Sequence, residues 1–399
     1  MTGSELISAA AAADLLGVRR QTLYAYVSRG VLARVPGTDS NGHRVSMFDR
    51  AAVQALVERH RRPRSGVFEL HIDTAVTDLD PAGRLLYRGR DACDLATTHS
   101  FEDVAEILWQ SGLSGPWPTT ADGIAPRVAQ VCPESTSPAG RVRVALALLA
   151  ADEDDDGRGA PLPDQVCAAA RTAILAAANS LTSGATPAPE QSVAEIVATA
   201  LVPDPKPEDV TLINAALVLL ADHELATSTV AARAAASTHA GPYVTLLTGA
   251  AAMGGQLHGR AAAQAVPLVE ATLEVGAAAA LDQCDGVPPG FGHTVYTDAD
   301  PRADCLFDLL GQVRPDLTEP IDDLCLQVRR RHSLAPNVDL AMAALTIGLP
   351  LRLGGAEAIF VLARLAGMTA HALEELQHRL RFRPRAVYTG PAEQPSHGD

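Results

Sequence analysis

The sequence predicts a mostly α-helical protein with more than one folding unit, on three observations. At 399 residues the chain is longer than a single hydrophobic core usually grows. Apolar residues make up 47% of it but aromatic ones only 4%, and alanine runs at 9–13 and 277–280 favour closely packed helices. From Ser100 onward apolar residues recur at helical spacing.

Taken in order, AAAAADLLGV and RRQTLYAYVSRGVL predict two helices with Gly17 in the turn between them. PGTDSNGHRVSMF predicts a hairpin, and DRAAVQALVERHRR a third helix. Up to Ser65 there are ten arginines against five acids, a net of +5 in a chain of −15, so the remainder carries −20. A basic module joined to an acidic body points to a polyanion partner for the front end alone. This order of elements resembles the winged helix-turn-helix of the MerR and excisionase type. The resemblance implies that Arg19, Arg20, Gln21, Thr22, Tyr24 and Tyr26 reach phosphates and base edges of duplex DNA, with His43 and Arg44 on the wing. The plainer alternative is a small helical cap or an adaptor between domains.

RRPRSG reads as a linker, which places the module at 1–65. In the body, Asp80 to Gly83 predict a turn between two extended stretches. Ser100 with Glu102 and Asp103 predicts a capped helix start. DEDDDGRGAPLPD and SGATPAPEQS predict surface loops. No uninterrupted apolar run approaches the roughly 20 residues of a membrane span, and no secretory signal opens the chain, so a cytoplasmic location is expected. The six cysteines are scattered without a CxxC pair, which predicts buried, reduced thiols and no metal centre.

Three segments carry residues suited to chemistry. AAMGGQLHGRAAAQA sets His258 among glycines inside alanine-rich sequence; a structural histidine is the alternative. GVPPGFGHTVYTDADPRA crowds His293, Tyr296, Asp300 and Arg302 into a loop whose prolines and glycines forbid regular structure. APNVDLAMAAL places Asp339 where an apolar helix resumes, a position that also suits a helix cap. Arg364 sits within IFVLARLAGM with no acid near it in sequence, so burying it without an anionic partner would be costly.

Together with LLYRGRDACDL, SFEDVAEILW, ADHELATSTVAAR and RPRAVYTG, these segments resemble the citrate synthase family from about Val67 to Gly390. The resemblance implies a homodimer, each body having a large helical domain (67–258 plus 346–399) and a small one (259–345). It implies that Asp339 removes a proton from the methyl group of an acyl-CoA. His258 would donate a hydrogen bond to the thioester oxygen, and His293 would polarise and protonate the ketone of oxaloacetate. Arg302, Arg364 and Arg383 would bind carboxylates, Arg383 reaching into the partner's site, while His223 adds a hydrogen bond and Phe360 packs beneath. Acetyl-CoA and oxaloacetate are the expected substrates, with no cofactor. The alternatives are propionyl-CoA, giving 2-methylcitrate, and a DNA-binding regulator whose body senses an acyl-CoA or keto acid.

Two departures bear on the substrates. Ala226 stands where many relatives carry an asparagine near the keto acid. Thr294 stands where some carry an arginine that contacts CoA phosphate, a role open to Arg329, Arg330 and Arg331 if they are not simply an exposed basic helix end.

Overall fold

The computed structural model describes residues 6–16, 18, 20–28, 32–38, 44–54, 72–80, 83–115, 117, 123–153, 160–181, 191–378 and 382–383. Contacts divide the chain into two units, Met1–Ile72 and Asp73–Asp399.

In the front unit, β1 (Leu6–Ser8) leads into α1 (Ala9–Leu16) and α2 (Arg20–Ser28), followed by β2 (Val35–Thr38) and β3 (Arg44–Asp49). The three strands form one antiparallel sheet in the order β1-β3-β2, with Ile7 opposite Phe48 and Val35 opposite Met47. Its core is Ala12, Ala13, Leu23, Tyr26, Leu32, Phe48 and Val53. Tyr26 was expected at a DNA surface. It is only 5% exposed because its ring fills this core, so it is a packing residue. Arg20, Arg44 and Tyr24 are exposed, Tyr24 at 41%. Gln21 and Thr22 lie on α2, but their side chains fall outside the described residues, as do Arg19, His43 and the expected linker.

The body opens on a small antiparallel sheet, β4 (Thr77–Asp80), β5 (Arg84–Tyr87) and β6 (Arg90–Asp91). Gly83, at φ +84, closes the β4–β5 turn by donating to Asp80 O at 2.8 Å. Helices then follow: α3 (Ala92–Thr98), α4 (Phe101–Trp109), α5 (Ile124–Val131), α6 (Pro138–Asp152), α7 (Pro163–Asn179), α8 (Val193–Leu201), α9 (Pro207–Leu220), α10 (Thr227–Ala236) and α11 (Pro242–Ala252). After them come α12 (Ala261–Val275), α13 (Ala277–Asp282), α14 (Pro301–Val313), α15 (Thr318–His332), α16 (Val338–Gly348) and α17 (Gly355–Gln377). Local chemistry sets many starts. Ser100 Oγ accepts from Asp103 N at 3.1 Å, Ser192 and Glu195 form a reciprocal capping box, and prolines stand in the first turns of α6, α7, α9, α11 and α14.

The axis of the body is α17, around which α4, α6, α7, α9, α10 and α11 pack. Among the described residues it is the one helix long and apolar enough to cross a membrane, yet its most apolar stretch is wholly buried in the body. Alanine and glycine line many of these contacts, which explains how so few aromatics suffice. A second core gathers residues of α12, α13, α15 and α16, including Val269, Leu281, Leu324 and Leu340. All six cysteines are unbridged. Only Cys132 and Cys167 are buried, however; Cys93, Cys284, Cys305 and Cys325 are half-buried because they sit at the rims of helix contacts.

Candidate active site

His258 lies in the run of turns between α11 and α12, where Gly259 N donates to Met253 O at 3.1 Å. A Cβ at Gly259 would press on that carbonyl, so the close approach requires glycine. His258 Nε2 is 2.8 Å from Ser228 Oγ of α10, and its ring meets Phe360 of α17 edge-on at 5.9 Å.

His293 follows Gly290 and Gly292, which take φ of +85 and +81 and let the loop lie against the start of α16. Asn337 N donates to Gly290 O at 2.9 Å, and Asn337 Nδ2 to Gly292 O at 2.8 Å. His293 Nδ1 accepts from Val295 N at 3.0 Å and Tyr296 N at 3.2 Å. A ring nitrogen that accepts carries no proton, so Nε2 bears it. The cap of α16 is Asn337, whose Oδ1 accepts from Asp339 N at 3.0 Å. Asp339 is therefore not the cap, and its carboxylate is left for other work.

Arg302 is buried and forked onto Asp300, with Nε 2.9 Å from Oδ1 and Nη2 2.8 Å from Oδ2. Asp300 Oδ2 also accepts from Val338 N at 3.0 Å, so one carboxylate ties the start of α14 to the start of α16. Arg364 is buried over the Phe360 ring at 4.9 Å, and its Nε donates to Leu220 O at 2.9 Å. Arg364 Nη2 and His223 Nε2 are buried without hydrogen-bond partners among the described residues. The His223 ring meets His293 at 5.2 Å and Tyr296 at 5.5 Å, and Tyr296 stacks on His293 at 4.9 Å beneath Arg302.

These contacts run from His258 through Phe360 to Arg364, and from His223 through His293 and Tyr296 to Arg302. The charges of Arg302 and Arg364 both act on His223, which joins the two series. Asp339 also feels Arg302. Six expected site residues, His258, Phe360, Arg364, His223, His293 and Arg302, thus share one constellation with Asp339. Arg383 is exposed and is not brought into it; its neighbour Phe382 N donates to Ser237 Oγ at 3.3 Å, beyond the end of α10. Arg329 donates to Asp298 O at 2.8 Å and Arg331 to Asp282 at 2.6 Å, so both are engaged within the fold.

Burial sets the proton equilibria. It pushes His258 down to about 4 and lowers His293 and His223, with Arg364 and Arg302 adding repulsion, so all three imidazoles stand neutral. Burial raises Asp339 to about 6 against the pull of Arg302. It lowers Arg364 to about 10, which still leaves a full charge at neutral pH. Sequence reasoning missed Ser228 and gave Asp300 no role. The serine two residues past Ala226 and the Asp-Pro-Arg spacing were the available signals.

The profile of the citrate synthase C-terminal domain matches residues 69–385. Citrate synthase 2 of Bacillus subtilis is 28% identical over 345 residues, covering 78% of this chain and 91% of its own. Citrate synthase of Haloferax volcanii is 27% identical over 366 residues, covering 83% and 96%. That of Thermoplasma acidophilum is 32% identical over 206 residues, where the chain spans 53% of its length. The solved ternary complex of the Thermoplasma acidophilum enzyme with carboxymethyl coenzyme A and oxaloacetate shares the fold, with a TM-score of 0.67 at 24% identity over 81% of this chain and 94% of that one. The first 68 residues lie outside the matched profile. Over the rest, the chain belongs to the citrate synthase family, whose members are acyltransferases that need no cofactor beyond their acetyl-CoA substrate.

Proposed function

We propose that the body condenses acetyl-CoA with oxaloacetate and hydrolyses the resulting thioester to citrate and CoA. The observation that carries this reading is a half-buried carboxylate, raised to about 6, in the first turn of the helix whose cap Asn337 also holds the His293 loop through Gly292 O. Asp339 is then a stronger base than an ordinary aspartate yet still ionised at pH 7.5, as removal of a weakly acidic methyl proton requires. Ser228 Oγ lies 2.8 Å from His258 Nε2; with the hydroxyl as donor the ring proton is on Nδ1, where it would meet the thioester oxygen and the enolate charge that develops there. The enol carbon attacks the ketone, and His293 delivers its Nε2 proton to the new alkoxide. Arg302 and Arg364 take the carboxylates, joined by Arg383 from a second copy in a homodimer, and His223 Nε2 supplies another hydrogen bond. Movement of a small domain (259–345) against a large one (67–258 with 346–399) would exclude water during condensation.

The test is thiol release from acetyl-CoA and propionyl-CoA, side by side, with and without oxaloacetate. Release that requires oxaloacetate supports the reading, and a preference for propionyl-CoA reassigns the product to 2-methylcitrate. No turnover with either acyl-CoA retires it. Between pH 5 and 8, kcat/KM for acetyl-CoA should fall about tenfold per unit below roughly pH 6, as Asp339 takes up its proton. His258 stays neutral through that range, so a flat profile would contradict the assignment of the base.

Ala226 stands at the N-cap of α10 and offers no side-chain hydrogen bond. Ala226→Asn restores a capping acceptor and should stabilise the body by about 1 kcal/mol, read from the urea midpoint. If the same variant also lowers the KM for oxaloacetate, the alanine accounts for a weaker hold on the keto acid.

For the front unit we propose binding to duplex DNA, supported by the net +5 of residues 1–65, the closely spaced α1 and α2, and exposed Arg20, Tyr24 and Arg44. The intact protein should retain duplex DNA at low salt and lose it steeply as salt rises. Deleting residues 1–65 should abolish retention and spare thiol release. No retention at low salt ends the proposal.

A further inference from the structure

Residues 220 to 223 leave the end of α9 and dock on one stripe of α17. Leu220 O accepts from Arg364 Nε at 2.9 Å, Ala221 O accepts from Gly367 N at 3.0 Å, and Asp222 Oδ2 lies 3.2 Å from His371 Nε2. Positions 364, 367 and 371 follow the spacing of a single helix face. A Cβ at Gly367 would collide with Asp222 and the Ala221 carbonyl, so the approach is as close as backbone allows. His223 comes next, and it is the first residue of this run whose ring enters the constellation with His293 and Tyr296.

The third anchor has its own support. Arg233 Nη1 is 2.8 Å from His371 Nδ1, and a guanidinium only donates. Nδ1 therefore accepts, and the ring proton sits on Nε2, directed at Asp222. Arg233 is fully buried and balanced by Glu375 at 3.0 Å and Glu374 at 2.9 Å. Burial raises the Asp222 carboxyl, but the hydrogen bond from His371 and the charge of Arg364 act the other way, and the group is held below its ordinary range. A chain of buried charges this long is costly where apolar packing would hold α10 to α17 more cheaply.

We propose that His371 is a positioning residue for the keto-acid pocket: oriented by Arg233, it ties Asp222 to α17 and so fixes the spacing between His223 and Arg364. The inference rests on reading His223 and Arg364 as oxaloacetate ligands.

Two variants separate the ring nitrogens. His371→Gln keeps a donor near Nε2 for Asp222, and His371→Asn keeps an acceptor near Nδ1 for Arg233. Since a misplacement of about 1 Å can cost about a hundredfold, His371→Asn should raise the KM for oxaloacetate by about tenfold or more. The KM for acetyl-CoA should stay within about twofold, and His371→Gln should recover most of the loss. The opposite order, or equal losses that track the melting temperature, overturns the proposal in favour of a purely structural pairing with Arg233. Should His371→Asn fail to fold, Asp222→Asn keeps the side chain's size and carries the same expectation, and an unchanged oxaloacetate KM overturns it. Inactivity of the wild type would retire the functional reading instead. In that event the His223 Cε1–H resonance of ligand-free, 13C-histidine-labelled protein still decides: displaced in His371→Asn and restored in His371→Gln, or unmoved and the positioning idea fails.

Discussion

Asp339→Asn should remove nearly all thiol release and at the same time make the protein more stable at pH 8. The activity loss, on the order of a hundredfold to ten-thousandfold, is that expected when a positioned base is replaced by an isostere that cannot accept a proton. The stability gain follows from burial. The folded state raises the carboxyl from 3.8 to about 6, so it binds the proton more tightly than the unfolded chain does. Below about pH 4 both states are protonated and the group costs nothing. As pH rises through 6 the folded state must hold a buried charge, at a cost of about 2–3 kcal/mol at pH 8. Asparagine escapes that cost. Denaturation at pH 8 should show the variant ahead of wild type, with the difference gone by pH 4. An active variant would remove Asp339 from the chemistry, and a variant less stable at pH 8 would mean that its charge is well solvated.

Arg364→Met should raise the KM for oxaloacetate by thirtyfold or more, leaving the melting temperature unchanged or higher. Loss of one side of a buried, hydrogen-bonded charge pair costs about 2–5 kcal/mol. Among the described residues the guanidinium is held by Leu220 O at Nε, and its Nη2 has no hydrogen-bond partner. Removing it therefore relieves a buried charge while taking away a fork that a carboxylate would fill. Arg364→Lys should not rescue binding, because a point charge cannot hold Leu220 O and a carboxylate oxygen together. Titration calorimetry with oxaloacetate checks both variants. Unchanged affinity would make Arg364 a clamp for Leu220 alone.

His258, His293 and Asp339 stand out in the sequence because glycines flank His258, glycines and prolines precede His293, and Pro336 precedes Asp339, where a regular helix would carry none of them. The helical body was legible from its alanine and its spacing. What escaped was everything that depends on contact between distant parts of the chain. Ser228 meets His258 across 30 residues, His371 meets Asp222 across 149, and Arg233 meets His371 across 138. Nothing in a local window marks such pairs, and a buried histidine in ARLAGMTAHALEE reads like any core residue. Tyr26 was misread for the converse reason: a motif assigns residues to α2 but not to the side that packs on Phe48. The half-buried cysteines show the same limit, since apolar neighbours in sequence do not place a thiol at the centre of a helix contact rather than at its rim.

The position of α17 in the order of synthesis gives it a consequence for how the protein is made. Helices α4, α6, α7, α9, α10 and α11 pack around a segment that ends at Gln377, so a growing chain carries their apolar faces uncovered until that segment has left the ribosome. The front unit has no such delay, because its core is complete by Val53. Newly made molecules should therefore pass through a stage with a folded front and an open, aggregation-prone body, in which chaperone binding is strongest just before Gly355–Gln377 emerges.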